Sequence, residues 1–380
     1  MGMSAIRLCI WPGHGISEPR DFTRHPTLVH QSLHRPHENN ITDSQLRILP
    51  HPQPERLIDI HNTMATSSPP PPSTFVNIGT HNLCLYTHGP SPASSKSPVV
   101  LLVPGLGTST LVWAGVIRLL PSIRVYSYDR SGYRKSEQSP LPPTAENIAL
   151  ELSILIQNAH IENPLILVVA SWGGVIAREF IARTGNGPHI AGLVLVDANH
   201  ERTLQVLDWT NADLRAVFTG IDSLDAMGLR SEHKLTPQEW QAYETDEATE
   251  KHQLQEAKEG EEYPPSFETL RRKNLRAREQ PLFGDKPVFV IMGLTARDWE
   301  GQYRVGVEKG NGTEEQRRVA REMIDTANDK NEILQKEHLA LSTRGKFVLA
   351  KESGHFVQLT EPEIVADGVG WILQELSHST

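Results

Sequence analysis

Ser171 lies where the stretch LVVASWGGVIAREF (167–180) passes from a continuous apolar run into a helical pattern. A hydroxyl at such a break has two uses. It can cap the new helix, because serine is a favoured N-cap residue. It can also stand clear of the strand as a nucleophile, the arrangement a G-x-S-x-G elbow produces. A nucleophilic serine needs an imidazole to take its proton and a carboxylate to orient that imidazole. His355, in AKESGHFVQLTEPEIV (350–365), follows the last strand-like run, and aspartates lie between the two residues. The chemistry such a trio performs is acyl transfer.

The elements that must position these groups alternate between strand and helix. TFVNIG (74–79) and NLCLYTHG (82–89) suit an antiparallel pair at a sheet edge. PVVLLVPG (98–105) and PLILVVA (164–170) are continuous apolar runs, as expected of parallel strands covered on both faces. IRVYSYD (123–129), AGLVLVDA (191–198), PVFVIMG (287–293) and KFVLAKE (346–352) complete the strands. Helices are predicted around 109–120, over AENIALELSILIQNAH with Thr144 as N-cap, and directly after Ser171. This order implies right-handed crossovers and an α/β fold with a doubly wound, mostly parallel sheet.

Residues 200–285 break the alternation. They are helical in pattern, with an acidic stretch at 246–262 and a basic one at 271–278, which read as solvated helix faces. Leu204, Leu207, Trp209, Leu214 and Phe218 either roof a pocket or form this segment's own core.

Composition bounds the rest. A net charge of −9, without a lysine or arginine cluster, argues against a nucleic-acid partner. The two cysteines, Cys9 and Cys84, form no CxxC pair, so neither a disulfide framework nor a cysteine zinc site follows. No apolar run approaches the roughly 18 residues that span a bilayer, and the first residues lack the apolar core of a secretory signal. The expected location is cytoplasmic. Residues 1–73, rich in proline and histidine (His14, His25, His30, His34, His37, His51, His61), read as a disordered extension with a second possible start at Met64.

Four motifs carry a resemblance. They are PGLGTS (104–109), YDRSGYRKS (128–136), the elbow Val169-Ala170-Ser171-Trp172-Gly173, and SGHF followed by EP (353–362). From about 98 to 200 and again from 287 to 376, the chain resembles the α/β-hydrolase superfamily. The elbow departs from the usual motif at Val169, which replaces the upstream glycine, and at Ala170, often histidine.

The resemblance implies a role for each position. Ser171 would attack and His355 would shuttle the proton. The acid would be Asp298, five residues past Gly293, or alternatively Asp197 in LVLVDANH. The amides of Leu106 and Trp172 would form the oxyanion hole, with Asp129 and Arg130 holding the neighbouring loop. The chain would divide into an extension (1–73), a first core part (74–199), a helical lid (200–285) and a second core part (286–380). The implied function is a serine hydrolase cleaving a small ester, lactone or thioester, requiring neither metal nor organic cofactor. Serine at the elbow argues against epoxide hydrolase and haloalkane dehalogenase chemistry. Aminopeptidase, carbon–carbon hydrolase, acyltransferase and lyase activities share the scaffold. A ligand-binding member with an impaired elbow, crowded by Val169, is the reading from a different class.

Overall fold

The apolar runs become strands of one sheet: β1 (Ser73–Asn77), β2 (Asn82–His88), β3 (Val99–Val103), β4 (Val125–Tyr128), β5 (Leu165–Ala170), β6 (Ile190–Val196), β7 (Val288–Met292) and β8 (Gly345–Leu349). A computed structural model describes residues 72–378 apart from 185–188, 276–277 and 279. The proline- and histidine-rich stretch up to 71, Met64 included, lies outside the described residues. The strands pair in the order β1-β2-β4-β3-β5-β6-β7-β8. The β1–β2 and β2–β4 pairings are antiparallel and all others are parallel.

Helices cover both faces. The connection after β3 holds a 3-10 turn and α1 (Ala114–Arg118), that after β4 holds α2 (Ala145–Asn158), and that after β5 holds α3 (Gly173–Thr184). Thr144 caps α2 as its sequence predicts, its side chain accepting from the Asn147 N–H at 3.1 Å. Side chains alternate across the sheet with the period of two that a strand dictates. Leu101, Val103, Leu167 and Val169 join the core layer containing Leu152, Val175 and Ile176, while Leu102, Val168 and Ala170 join the opposite one. β3 and β5 are buried along their whole length. Each such Val or Leu stabilises the fold by about 1.5–3 kcal/mol through burial.

Between β6 and β7 the chain forms α4 (Thr203–Val206), α5 (Ala212–Phe218), α6 (Ser223–Ala226), α7 (Leu229–Glu232), α8 (Pro237–Glu247) and α9 (Glu250–Arg272). The charged stretch was expected to be solvated, yet it buries His252, Gln255 and Glu259. Glu259 is 0% and His252 1% exposed, both on the inner face of α9. Buried polar groups demand partners, and Glu259 and His252 find theirs in the core loops described below.

A second insertion follows β7, where the sequence reading placed uninterrupted core. It comprises α10 (Thr295–Glu308) and α11 (Glu314–Glu337), after which β8 resumes the sheet and α12 (Val357–Thr360) and α13 (Pro362–Ser377) end the chain. α11 buries Ala320, Ile324, Ala327, Asn331 and Leu334 at helical spacing beneath a charged outer face. With Leu207, Leu214, Val217 and Trp299 they build a third hydrophobic cluster. Leu207 and Leu214 are therefore core of the inserted helices, with Phe218 packed against them.

Candidate active site

The site assembles at the C-terminal edge of the sheet. β5 ends at Ala170, and Ser171 turns the chain with φ +52°. A non-glycine residue there carries strain of about 1–2 kcal/mol. Three hydrogen bonds hold the turn: the Ser171 N–H donates to Val196 O at 3.1 Å, and its carbonyl accepts from Gly174 N at 2.9 Å and Asn199 N at 2.8 Å. Two glycines make room. A Cβ on Gly173 would stand 2.8 Å from Val103 O, and one on Gly105 would stand 2.9 Å from Ser171 Cβ. Val169 needs no such room. Its Cβ is 3.5 Å from the position a Gly173 Cβ would take, ordinary contact distance, and its side chain is fully buried.

β6 ends in a second turn of the same kind, at Asp197 with φ +41°. Its Oδ2 accepts from His355 Nδ1 at 2.6 Å. Its Oδ1 accepts from the Gly293 N–H at 3.0 Å and from Asn331 Nδ2 at 2.8 Å. His355 sits between β8 and α12 with 34% of its side chain exposed, so a substrate can reach the ring. Burial works against its charged form, but the Asp197 hydrogen bond and the charges of Asp197 and Asp298 outweigh this and raise its pKa.

Asp298, the expected acid, occupies a different place. The segment after Gly293 is not an extended loop but the first turn of α10, which carries Asp298 beneath the histidine loop. There Oδ2 accepts from the backbone N–H of His355 at 2.7 Å. A Cβ on Gly354 would lie 1.7 Å from its Oδ1, so only glycine fits above the carboxylate. Burial pushes the Asp298 pKa up to about 6, against the pull of the His355 N–H. The geometry thus gives Nδ1 to the alternate acid, Asp197, and the main chain of His355 to Asp298.

Among the described residues, the Leu106 and Trp172 amides have no backbone partner, which leaves both N–H groups free for a ligand. The Trp172 indole is wholly buried rather than turned toward open space, and its Nε1 donates to Ser266 Oγ on α9 at 3.0 Å. No hydrogen bond joins the Ser171 hydroxyl to His355 among the described residues. Such contacts commonly close only when substrate is bound. Asp129 accepts from Tyr86 OH at 2.7 Å and from Lys135 N at 3.3 Å. Arg130 donates to the carbonyls of Pro104 and Gly105.

Sequence reasoning missed Asn331, Glu259 and His252. Asn331 had a signal, as one of two polar residues, with Gln335, in the buried stripe of α11. Glu259 and His252 had none, because a helical stretch this rich in charge gives no sign of which members turn inward.

Comparison with known proteins follows the geometry. A model of the alpha/beta hydrolase family matches residues 100–368. The chain is similar to an AB hydrolase superfamily protein of Gibberella zeae, 32% identical over 301 residues that cover 77% of this chain and 91% of that one. It is similar in structure to a haloalkane dehalogenase from Bradyrhizobium elkani, with a TM-score of 0.54 at 18% identity over 81% of this chain and 99% of that one. A thermophilic esterase from Thermogutta terrifontis gives 0.50 at 17% identity, over 80% and 99%. At those identities the likeness to solved structures is one of fold alone. The family model spans well over half of the chain and, with the fungal relative, shows that this chain belongs to the alpha/beta hydrolase family.

Proposed function

We propose that the chain is a serine hydrolase acting on a small ester, lactone or thioester through an acyl-enzyme intermediate, with Asp197 as the acid of its triad. The observation that carries this reading is the 2.6 Å hydrogen bond from His355 Nδ1 to Asp197, made at the same sheet edge as the strained Ser171 turn. By holding the proton on Nδ1, Asp197 leaves Nε2 with a lone pair for the serine hydroxyl. Oγ attacks the acyl carbon as its proton passes to Nε2, and the carbonyl oxygen becomes an oxyanion. The Leu106 and Trp172 N–H groups receive that charge, each donor contributing about 3 kcal/mol. The imidazolium protonates the leaving group, and water then repeats the sequence to release the acid and restore the serine. Ser171 in the nucleophile position supports this chemistry over that of the dehalogenase with which the chain shares its fold. The helices between β6 and β7 act as the lid over the site.

A fluorophosphonate probe tests the reading. The wild-type protein is expected to label and Ser171→Ala to lose the label. A screen of chromogenic esters of graded chain length, run beside Ser171→Ala and His355→Ala, should show each variant losing at least about two decades of rate. A folded wild-type protein that fails to label is instead a ligand-binding member of the family.

A further inference from the structure

Three successive peptide planes in the loop after β3 are each held by a side chain. The first plane joins Gly105 to Leu106 and carries the Leu106 N–H. Its carbonyl accepts from Arg130 Nη2 at 2.8 Å and from Thr108 Oγ1 at 3.0 Å. The second joins Leu106 to Gly107, and its N–H donates to Glu259 Oε2 at 3.0 Å. The third joins Gly107 to Thr108, and its carbonyl accepts from His252 Nε2 at 2.9 Å. Arg130 comes from the loop after β4, whereas Glu259 and His252 come from α9.

These side chains are themselves fixed. The Glu259 carboxylate also accepts from Arg130 Nε at 2.9 Å, Arg130 Nη2 at 2.8 Å and Tyr133 OH at 2.9 Å. The Arg130 side chain is 2% and that of Glu259 0% exposed, so neither can turn away to water without breaking a buried pair. His252 stands edge-on to the Tyr133 ring at 4.9 Å, with Nδ1 facing Asp246 Oδ2 at 3.1 Å. Both its nitrogens face acceptors, so both donate. Burial disfavours that charged ring, but the Asp246 bond and the charges of Glu247 and Asp246 prevail and raise its pKa.

An oxyanion donor works only when its N–H already points at the place where charge develops. The sequence Pro104-Gly105-Leu106-Gly107 does little to aim one, with glycines on both sides of Leu106 and Gly107 at φ +62°. The aim must come from outside. A guanidinium on the Gly105 carbonyl also polarises that peptide, making its N–H end a stronger donor.

We propose that Arg130, Glu259 and His252 are positioning residues that fix the oxyanion-binding peptide of Leu106, so that a competent loop requires α9 to be seated on it. This rests on the serine-hydrolase reading and extends it, giving the inserted helix a part in transition-state binding.

Two measurements test the proposal. His252→Leu removes one clamp together with the bond to Asp246, His252→Gln keeps a donor near Nε2 as the rescue variant, and Glu259→Gln removes the carboxylate. Hydrogen exchange over 104–110 should accelerate in His252→Leu and Glu259→Gln while β3 and β5 stay protected, with His252→Gln close to wild type. The maximal rate of fluorophosphonate inactivation should fall about tenfold or more in His252→Leu, with the probe's binding constant within about twofold, and should recover in His252→Gln. If Glu259→Gln does not fold, the His252 pair decides. Unchanged exchange overturns the clamp. Faster exchange with an unchanged inactivation rate overturns its part in catalysis. A wild-type protein inert to the probe overturns the hydrolase reading itself, and exchange then still decides whether α9 holds the loop.

Discussion

Asp197 Oδ2 and His355 Nδ1 meet at 2.6 Å although 158 residues separate them in the chain. The other carboxylate oxygen is held by Gly293 and Asn331, so the acceptor facing the imidazole has one direction. Asp298 reaches the same histidine through its backbone N–H. Two carboxylates therefore serve one residue, one through the ring and one through the chain.

Exchanging each for asparagine separates these parts. Asp197→Asn keeps the shape but can present an amide donor to Nδ1, which disturbs the tautomer. A loss in kcat of about 10³–10⁴ is expected. Asp298→Asn can still accept from the His355 N–H, and a loss of under about tenfold is expected. Steady-state kinetics on one chromogenic ester gives both numbers. A larger loss for Asp298→Asn would reverse the assignment.

The pH profile follows from the direction of the His355 shift. The base must be neutral to take the serine proton, so kcat/KM falls as pH drops through its pKa. That pKa is raised, which places the acid limb above the ordinary histidine value of about 6.5. Removing the Asp298 charge lowers the His355 pKa and moves the limb to lower pH. Asp298 itself titrates at about 6, so the wild-type limb reflects a coupled pair and should be broader than that of Asp298→Asn. Rates from about pH 5 to about pH 9 report both effects. A limb that stays in place in Asp298→Asn would show that its charge does not reach the ring.

Val169→Gly asks whether the valine crowds the elbow. The side chain is fully buried in the layer that packs on α3, so its loss should cost about 2–4 kcal/mol in urea unfolding. Activity per folded molecule should stay within about twofold, because Val169 makes ordinary contacts where a Gly173 Cβ would stand. A rise of about tenfold or more in kcat would mean that the valine displaces the serine.

Much of this molecule was legible before its coordinates. Continuous apolar runs between turn residues marked the strands, because a parallel sheet buried on both faces leaves no other pattern. Ser171 and His355 stood out because each follows a strand in a recognisable loop. The acid did not, since two strands end near an aspartate and spacing cannot tell a side chain aimed at a ring from one aimed at an amide. The second insertion was passed over because the apolar stripe of α11 is narrow, built on Ala320 and Ala327 beneath a dense charged face. Glu259 belonged to a run of acids whose members differ only in the side of the helix they occupy.

The bonds from α9 to Gly107, Arg130 and Trp172 bear on how such a protein can diversify. Trading residues 200–285 for another segment would carry off His252, Glu259 and Ser266 and leave Gly107, Arg130 and Trp172 without those partners. A substitute for that segment works only if it brings its own carboxylate, imidazole and hydroxyl to those three positions.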